Sequence, residues 1–140
     1  MPLWHIYCPF NAYTSADKTE FASRITDLYA KFGLPRFYVS VMFHELAADD
    51  LQIGGEPRND FVRISMDHIA RRMTPDRYDS WMDHVTETLD PFVRQRGFKW
   101  EVHIDETPFE LWSIEGLKPP APHSETEQLW AKDNRATPYR

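Results

Sequence analysis

A chain of 140 residues, 41% hydrophobic and 27% charged, has the balance of one soluble globular domain, 1–140, large enough to build a core without disulfides or structural metal. Its formal net charge of −6 argues against non-specific binding to nucleic acid, and a single cysteine, Cys8, excludes an intramolecular disulfide and a cysteine-based zinc site. No apolar run is long enough to span a membrane and no basic-then-apolar leader opens the sequence, so the expectation is a cytoplasmic protein with no membrane partner.

Pro2 follows Met1 directly and runs into Leu3 to Cys8, a strand rich in aromatic and β-branched residues that Pro9 closes. With Met1 trimmed, the chain would begin with a secondary amine fixed to the end of a strand. An ordinary α-amino group has a pKa of about 7.7–8.0. Burial beside Trp4 and Ile6 would lower it and poise it near neutral pH, where an acid/base catalyst works best. The plainer alternative is an incidental proline on a loose terminus.

Thr14-Ser15-Ala16-Asp17 offers a helix cap, and Phe21, Ala22, Ile25, Leu28, Tyr29 and Phe32 follow at helical spacing up to Gly33. One face is apolar, so this helix must cover a sheet. Phe37 to Glu45 is the next strand, completing a first strand-helix-strand unit over about 2–46. A polar connection from Ala47 to Asp60 turns at Gly54-Gly55. The pattern then repeats over about 61–106. Phe61 to Ile69 is a strand, and Thr74-Pro75 starts a helix with the stripe Tyr78, Trp81, Met82, Val85, Leu89 and Phe92, which Pro91 is placed to bend. After Gly97, Phe98 to Asp105 is the fourth strand. Right-handed crossovers would set both helices on one face of a mixed four-stranded sheet, an α/β two-layer sandwich of the α+β kind. The other sheet face, taken to be as apolar as Trp4 and Ile6, should then be covered by a second copy of the chain. A proline-rich arm and short helix close the chain over about 116–140, with Ser124-Glu125-Thr126-Glu127 reading as a capping box. This arm either packs on a neighbouring subunit or stays solvated.

Several residues stand out as candidates for chemistry. Arg71 and Arg72, on the loop before the Thr74 cap, could converge on a carboxylate because each guanidinium offers a planar fork of donors; the alternative is a solvated basic turn. His103 projects from the last strand with Glu101 and Asp105 on the same face, an arrangement suited to acid/base work or to a polar contact at an interface. Tyr29 is either core or a hydroxyl donor at the edge of a pocket. Glu115 is either an active carboxylate or a surface charge. His68 falls on the side of Ile64 and Met66, where a hydrogen-bonded core histidine is expected. Four histidines on strands, His5, His44, His68 and His103, lack the regular spacing of metal ligands, so no metal and no cofactor is expected.

Taken together, these features resemble the tautomerase superfamily, and within it the cis-3-chloroacrylic acid dehalogenase-like group with its fungal branch. The residues that carry the resemblance are Pro2-Leu3-Trp4-His5-Ile6-Tyr7, Ile25-Thr26-Asp27-Leu28-Tyr29, Val62-Arg63-Ile64 with His68-Ile69-Ala70-Arg71, Trp100-Glu101-Val102-His103-Ile104 with Glu106-Thr107, and Trp112 through Pro120. The resemblance implies a tandem β-α-β tautomerase fold assembled as a homotrimer, with the N-terminal proline at the base of a pocket. It implies that Pro2 is the proton-transfer group, that Arg71 is the first substrate-binding arginine, and that Glu115 lies within one position of a water-activating glutamate. Three positions depart from the dehalogenase pattern: Tyr29 replaces a histidine, His103 replaces a tyrosine, and Thr74 stands where a second arginine is expected while Arg72 is adjacent to the first.

The expected function is therefore proton transfer on small 2-oxo or α,β-unsaturated carboxylic acids, by keto-enol tautomerisation and by hydration or weak dehalogenation if Glu115 activates water. Pro2, Glu115 and His103 would be catalytic, and Arg71, Arg72 and Tyr29 would bind substrate. A different class shares the element order, namely non-enzymatic ferredoxin-like domains that bind small ligands or partners and whose outer strands run antiparallel.

Overall fold

The computed structural model describes residues 2–69 and 71–139; Met1, on whose removal the proline reading depends, lies outside them, as do Ala70 and Arg140. Alternating side chains make β1 (Leu3–Pro9) a strand that buries Trp4, Ile6 and Cys8 on one face. Thr14 then caps α1 (Ser15–Ala30) with a complete capping box. Its hydroxyl accepts from the Asp17 N–H, and the Asp17 carboxylate accepts from the Thr14 N–H.

The next strand starts later than the apolar alternation suggests. Pro35, with its φ locked, leads into a 3-10 turn over Arg36–Tyr38 that sends Tyr38 into the core, and β2 runs only from Ser40 to Leu46. The polar connection contains a small hairpin, β3 (Gln52–Ile53) against β4 (Glu56–Pro57), turned by Gly54 and Gly55 at positive φ. β5 covers Phe61–His68.

The second helix also begins differently. The Thr74 side chain caps no backbone N–H, Pro75–Arg77 form a 3-10 turn, and α2 spans Tyr78–Leu89 with Tyr78 exposed and Val85 and Leu89 buried. Pro91 does not bend this helix. It sits in the 3-10 turn Asp90–Phe92 that follows it, because its missing N–H is tolerated in a first turn. Gly97, in the left-handed region at φ +79°, returns the chain to β6 (Lys99–Glu106).

The sheet order is β2-β1-β5-β6. β1 pairs parallel with β2, β5 pairs parallel with β6, and the two inner strands are antiparallel. Each outer strand therefore runs parallel to the inner strand of its own unit, unlike the ferredoxin-like alternative. Both long helices cover the face that carries Trp4, Ile6, Ile64 and Met66.

The opposite face is not apolar as the sequence suggested. The register aligns His5, Tyr7, Met42 and His44 on one half and Arg63, Ser65, Asp67, Glu101, His103 and Asp105 on the other. The error came from assigning Trp4 and Ile6 to the bare side; a two-residue period commits both to the helix side. The C-terminal arm docks on its own chain, although much of its surface is exposed. Trp130 of α3 (Glu125–Asp133) is fully buried against Phe37 and Tyr38, and its indole N–H donates to the Thr137 carbonyl. Among the described residues no helix is long and apolar enough to cross a membrane.

Phe21 shows how the two units are locked together. It comes from α1, stacks on Phe92 at 4.2 Å and meets Phe43 and Tyr13 edge-on. Phe21→Ala should cost about 3–5 kcal/mol, since a large ring cannot be replaced by collapse of a well-packed core. Urea denaturation should show this as a lower midpoint at unchanged slope.

Candidate active site

A cleft of about 490 Å³ opens where the start of β1 meets the end of β5. Leu3 pairs with Asp67, so one further step of the antiparallel register sets Pro2 against His68. Pro2 is buried and borders the cleft. The end of α1 supplies Tyr29 and Phe32, the loop after β5 supplies Arg71, Arg72 and Met73, α2 supplies Trp81 and His84, and the arm supplies His123. The Thr74-Pro75 break explains this convergence. It reverses the chain just after Arg72, so that loop and helix start face the same space.

No aspartate or glutamate lines this cleft among the described residues, whereas donors are plentiful. Arg71 is already engaged: Nη1 donates to the Phe32 carbonyl at 2.8 Å and Nη2 to Glu127 Oε1 at 2.7 Å. Glu127 is buried and also accepts from the His123 N–H at 3.0 Å. The expected capping box is thus only half made. Ser124 accepts from the Glu127 N–H, while Arg71 and the His123 N–H take the glutamate carboxylate away from the cap. The Arg71 Nε and the Trp81 Nε1 are buried without hydrogen-bond partners. Arg72 and Arg77 make no hydrogen bond or ion pair through their guanidiniums with any described residue. Arg77 was not singled out in the sequence. Its position in the first turn after the cap that follows Arg72 is the signal that could have found it.

The floor of the cleft is a hydrogen-bonded chain. Trp4 Nε1 donates to Tyr29 Oη at 2.9 Å, and Tyr29 Oη lies 2.5 Å from His68 Nε2. The Tyr29 hydroxyl is therefore taken by its own protein and its ring is core, with an edge on the cleft. Burial raises the Tyr29 pKa well above that of a free phenol, with the Trp4 hydrogen bond opposing it, and burial lowers that of His68 to about 4. Both groups are neutral at physiological pH. Cys8, sealed in the core, has its thiol pushed up to about 11 mainly by burial, as suits an inert packing residue.

His103 and Glu115 are not brought to this cleft within the chain. His103 lies exposed on the open sheet face, with Nδ1 2.6 Å from Arg63 Nη2 and Nε2 3.4 Å from Asp105. Glu115 is exposed in the turn that bridges Ile114 to Leu117, with φ +52°. Of the strand histidines, His5 and His44 touch at 2.8 Å on that open face while His68 points to the other. Among the described residues no three metal-binding side chains are grouped to hold an ion.

A family model described as "Putative oxalocrotonate tautomerase enzyme" matches residues 1–135. RhCC from Rhodococcus jostii RHA1 is 47% identical over 98% of this chain and 99% of that one, with a TM-score of 0.95. A probable enzyme from the thermophilic fungus Aspergillus fumigatus is 38% identical over 99% and 98% of the two chains, with a TM-score of 0.93. At the level of fold, N1, a member of the cis-3-chloroacrylic acid dehalogenase family, aligns at 18% identity and TM-score 0.72 over 94% of this chain and 99% of its own. A fused 4-OT protein forming an asymmetric trimer aligns at 21% and 0.65 over 83% and 94%. No curated protein matches the chain.

Because the folded pKa of His68 lies near 4 and its unfolded value near 6.5, the unfolded state binds the extra proton between those values. Stability is complete above about pH 6.5 and falls as the pH drops towards 4, by roughly 3 kcal/mol in total. His68→Gln should flatten this part of the profile. Urea midpoints at about pH 7.5 and about pH 4.5 should separate further for the wild type than for the variant.

Proposed function

The chain belongs to this tautomerase family, and we propose that it uses Pro2 as an N-terminal amine to move a proton on small 2-oxo or α,β-unsaturated carboxylic acids. The observation that carries this is the pairing of a buried proline with cationic donors that have no partner among the described residues, around one cleft with no acidic lining among them. A carboxylate is the ligand such a cleft lacks. Arg72 and Arg77 hold it from the rim, while Arg71, largely offset by Glu127, adds its remaining Nε–H. The apolar walls of Phe32, Ile69, Met73 and Trp81 take the carbon chain.

In the tautomerisation, the free amine of Pro2 accepts a proton from the enol hydroxyl of the substrate and returns it to the neighbouring carbon. The composition of the substrate is unchanged and the proline is regenerated. Burial favours the neutral amine needed at the start. The proposal includes a homotrimer, after the assembly of the fused 4-OT neighbour. His103 and Glu115 enter the chemistry only where a second copy carries them to a cleft, and hydration depends on that supply of Glu115. Native mass spectrometry tests the assembly, and a monomer at working concentration leaves both residues without a role.

Ketonisation of the enol of pyruvate, followed by absorbance, tests the reaction. Protein that retains Met1, shown by intact mass, has an amide nitrogen at Pro2 without a basic lone pair and should be inactive. Pro2→Ala keeps an amine, so KM should hold while kcat falls and its pH dependence moves. Arg72→Ala removes charge-assisted bonds worth roughly 1.5–3 kcal/mol, and kcat/KM should fall by about one to two decades. Arg71→Ala should instead destabilise the fold, because it strands the buried carboxylate of Glu127. Full activity in Met1-retaining protein would overturn the proline mechanism.

A further inference from the structure

We propose that His68 is a further catalytic residue, a neutral imidazole whose Nδ1–H donates to the substrate oxygen that becomes an enolate, with Tyr29 as the residue that positions it. This rests on the proline-dependent reading above. Tyr29 Oη has one proton and two lone pairs, and Trp4 Nε1, which can only donate, occupies one lone pair. His68 Nε2 lies 2.5 Å from the same oxygen.

If Nε2 carried the imidazole proton, it would fill the second lone pair and leave the Tyr29 proton only Met66 Sδ, a weak acceptor at 3.7 Å. If Nε2 is bare, the phenol donates to it in a strong O–H···N bond and the proton and both partners of Tyr29 Oη are accounted for. The second arrangement fixes the proton of the neutral ring on Nδ1. That nitrogen makes no hydrogen bond to any described residue, and His68 borders the cleft beside Pro2.

The order of the chain thus runs from Trp4 in the sheet through Tyr29 on α1 to a ring whose only unused donor is left for a ligand. Trp81 meets the imidazole edge-on, with ring centroids 5.4 Å apart, and also touches the Tyr29 ring, so the three rings brace one another. A neutral imidazole is a suitable donor to an enolate, because it stabilises developing charge without giving up its proton. While Pro2 carries the proton between oxygen and carbon, the negative charge rests on the oxygen that His68 Nδ1–H faces, and no atom is transferred to His68.

The test uses whole protein with Met1 removed. Long-range proton–nitrogen correlation spectra of labelled wild type near neutral pH read the tautomer without any need for turnover. Protonated Nδ1 with bare Nε2 is expected, and protonated Nε2 overturns the assignment. In ketonisation of the enol of pyruvate, His68→Gln keeps a polar partner near Tyr29 but loses the Nδ1 donor, and its kcat should fall about a hundredfold with KM little changed. His68→Asn places an N–H close to where Nδ1 stood and should recover at least about tenfold of that loss. Equal losses in both variants, matched by equal drops in Tm, would make His68 a packing residue and sink the proposal. The two readings fail differently. Wild type that does not ketonise the enol removes the proline mechanism, whereas a fully active His68→Gln removes only the role of His68.

Discussion

The antiparallel seam between β1 and β5 is the constraint on which the rest of the molecule depends. Each β-α-β unit closes its own parallel pair, and within the sheet the seam joins the units, with the first strand of each at the centre. Antiparallel pairing brings the beginning of one strand to the end of the other. Pro2, at the start of β1, is thereby set beside His68 at the end of β5, and the loop that follows β5 must pass over it. A parallel seam would place Pro2 beside Phe61 and far from the arginines.

Around that seam the protein has arranged charge unequally. Arg71 is tied by Glu127 and the Phe32 carbonyl, which joins the C-terminal helix to the end of α1 and fixes the wall of the cleft. Its positive charge is matched within the chain, and breaking a partly buried pair of this kind leaves the partner uncompensated. Arg72 and Arg77 have no such partner among the described residues and remain available to solvent or ligand. Neighbouring arginines in sequence therefore differ in their surroundings: Arg71 is bound within the chain, while Arg72 borders the same cleft without a described partner. On the floor, the buried trio of Trp4, Tyr29 and His68 is joined by hydrogen bonds that link β1, α1 and β5.

Much of the fold was legible because its signals are local. The strand alternation of Leu3 to Cys8, the Thr14 capping box and the helical stripe ending at Gly33 each depend on neighbours within a few residues, and the tandem order of elements followed from them. Starts and ends were less legible at prolines. Pro35 and Pro75 each open a 3-10 turn where a strand or a full helix was expected, since a fixed φ decides the local turn before periodicity can act.

By itself, the sequence determined the four-stranded two-layer arrangement and the presence of Pro2 at the head of a strand. It could place Arg71, Arg72 and Tyr29 near a loop or helix end, but not say which groups were already spoken for. Only the tertiary structure decided that Glu127, 56 residues away, takes Arg71, that Arg77 joins Arg72 at the cleft, and that His103 and Glu115 lie elsewhere in the chain. It also decided that the open sheet face is polar. The physical reason is range: propensity, capping and periodicity act over a turn or two of chain, whereas the pairing of a buried charge or a hydroxyl is settled by whichever distant group the completed packing brings within about 3 Å.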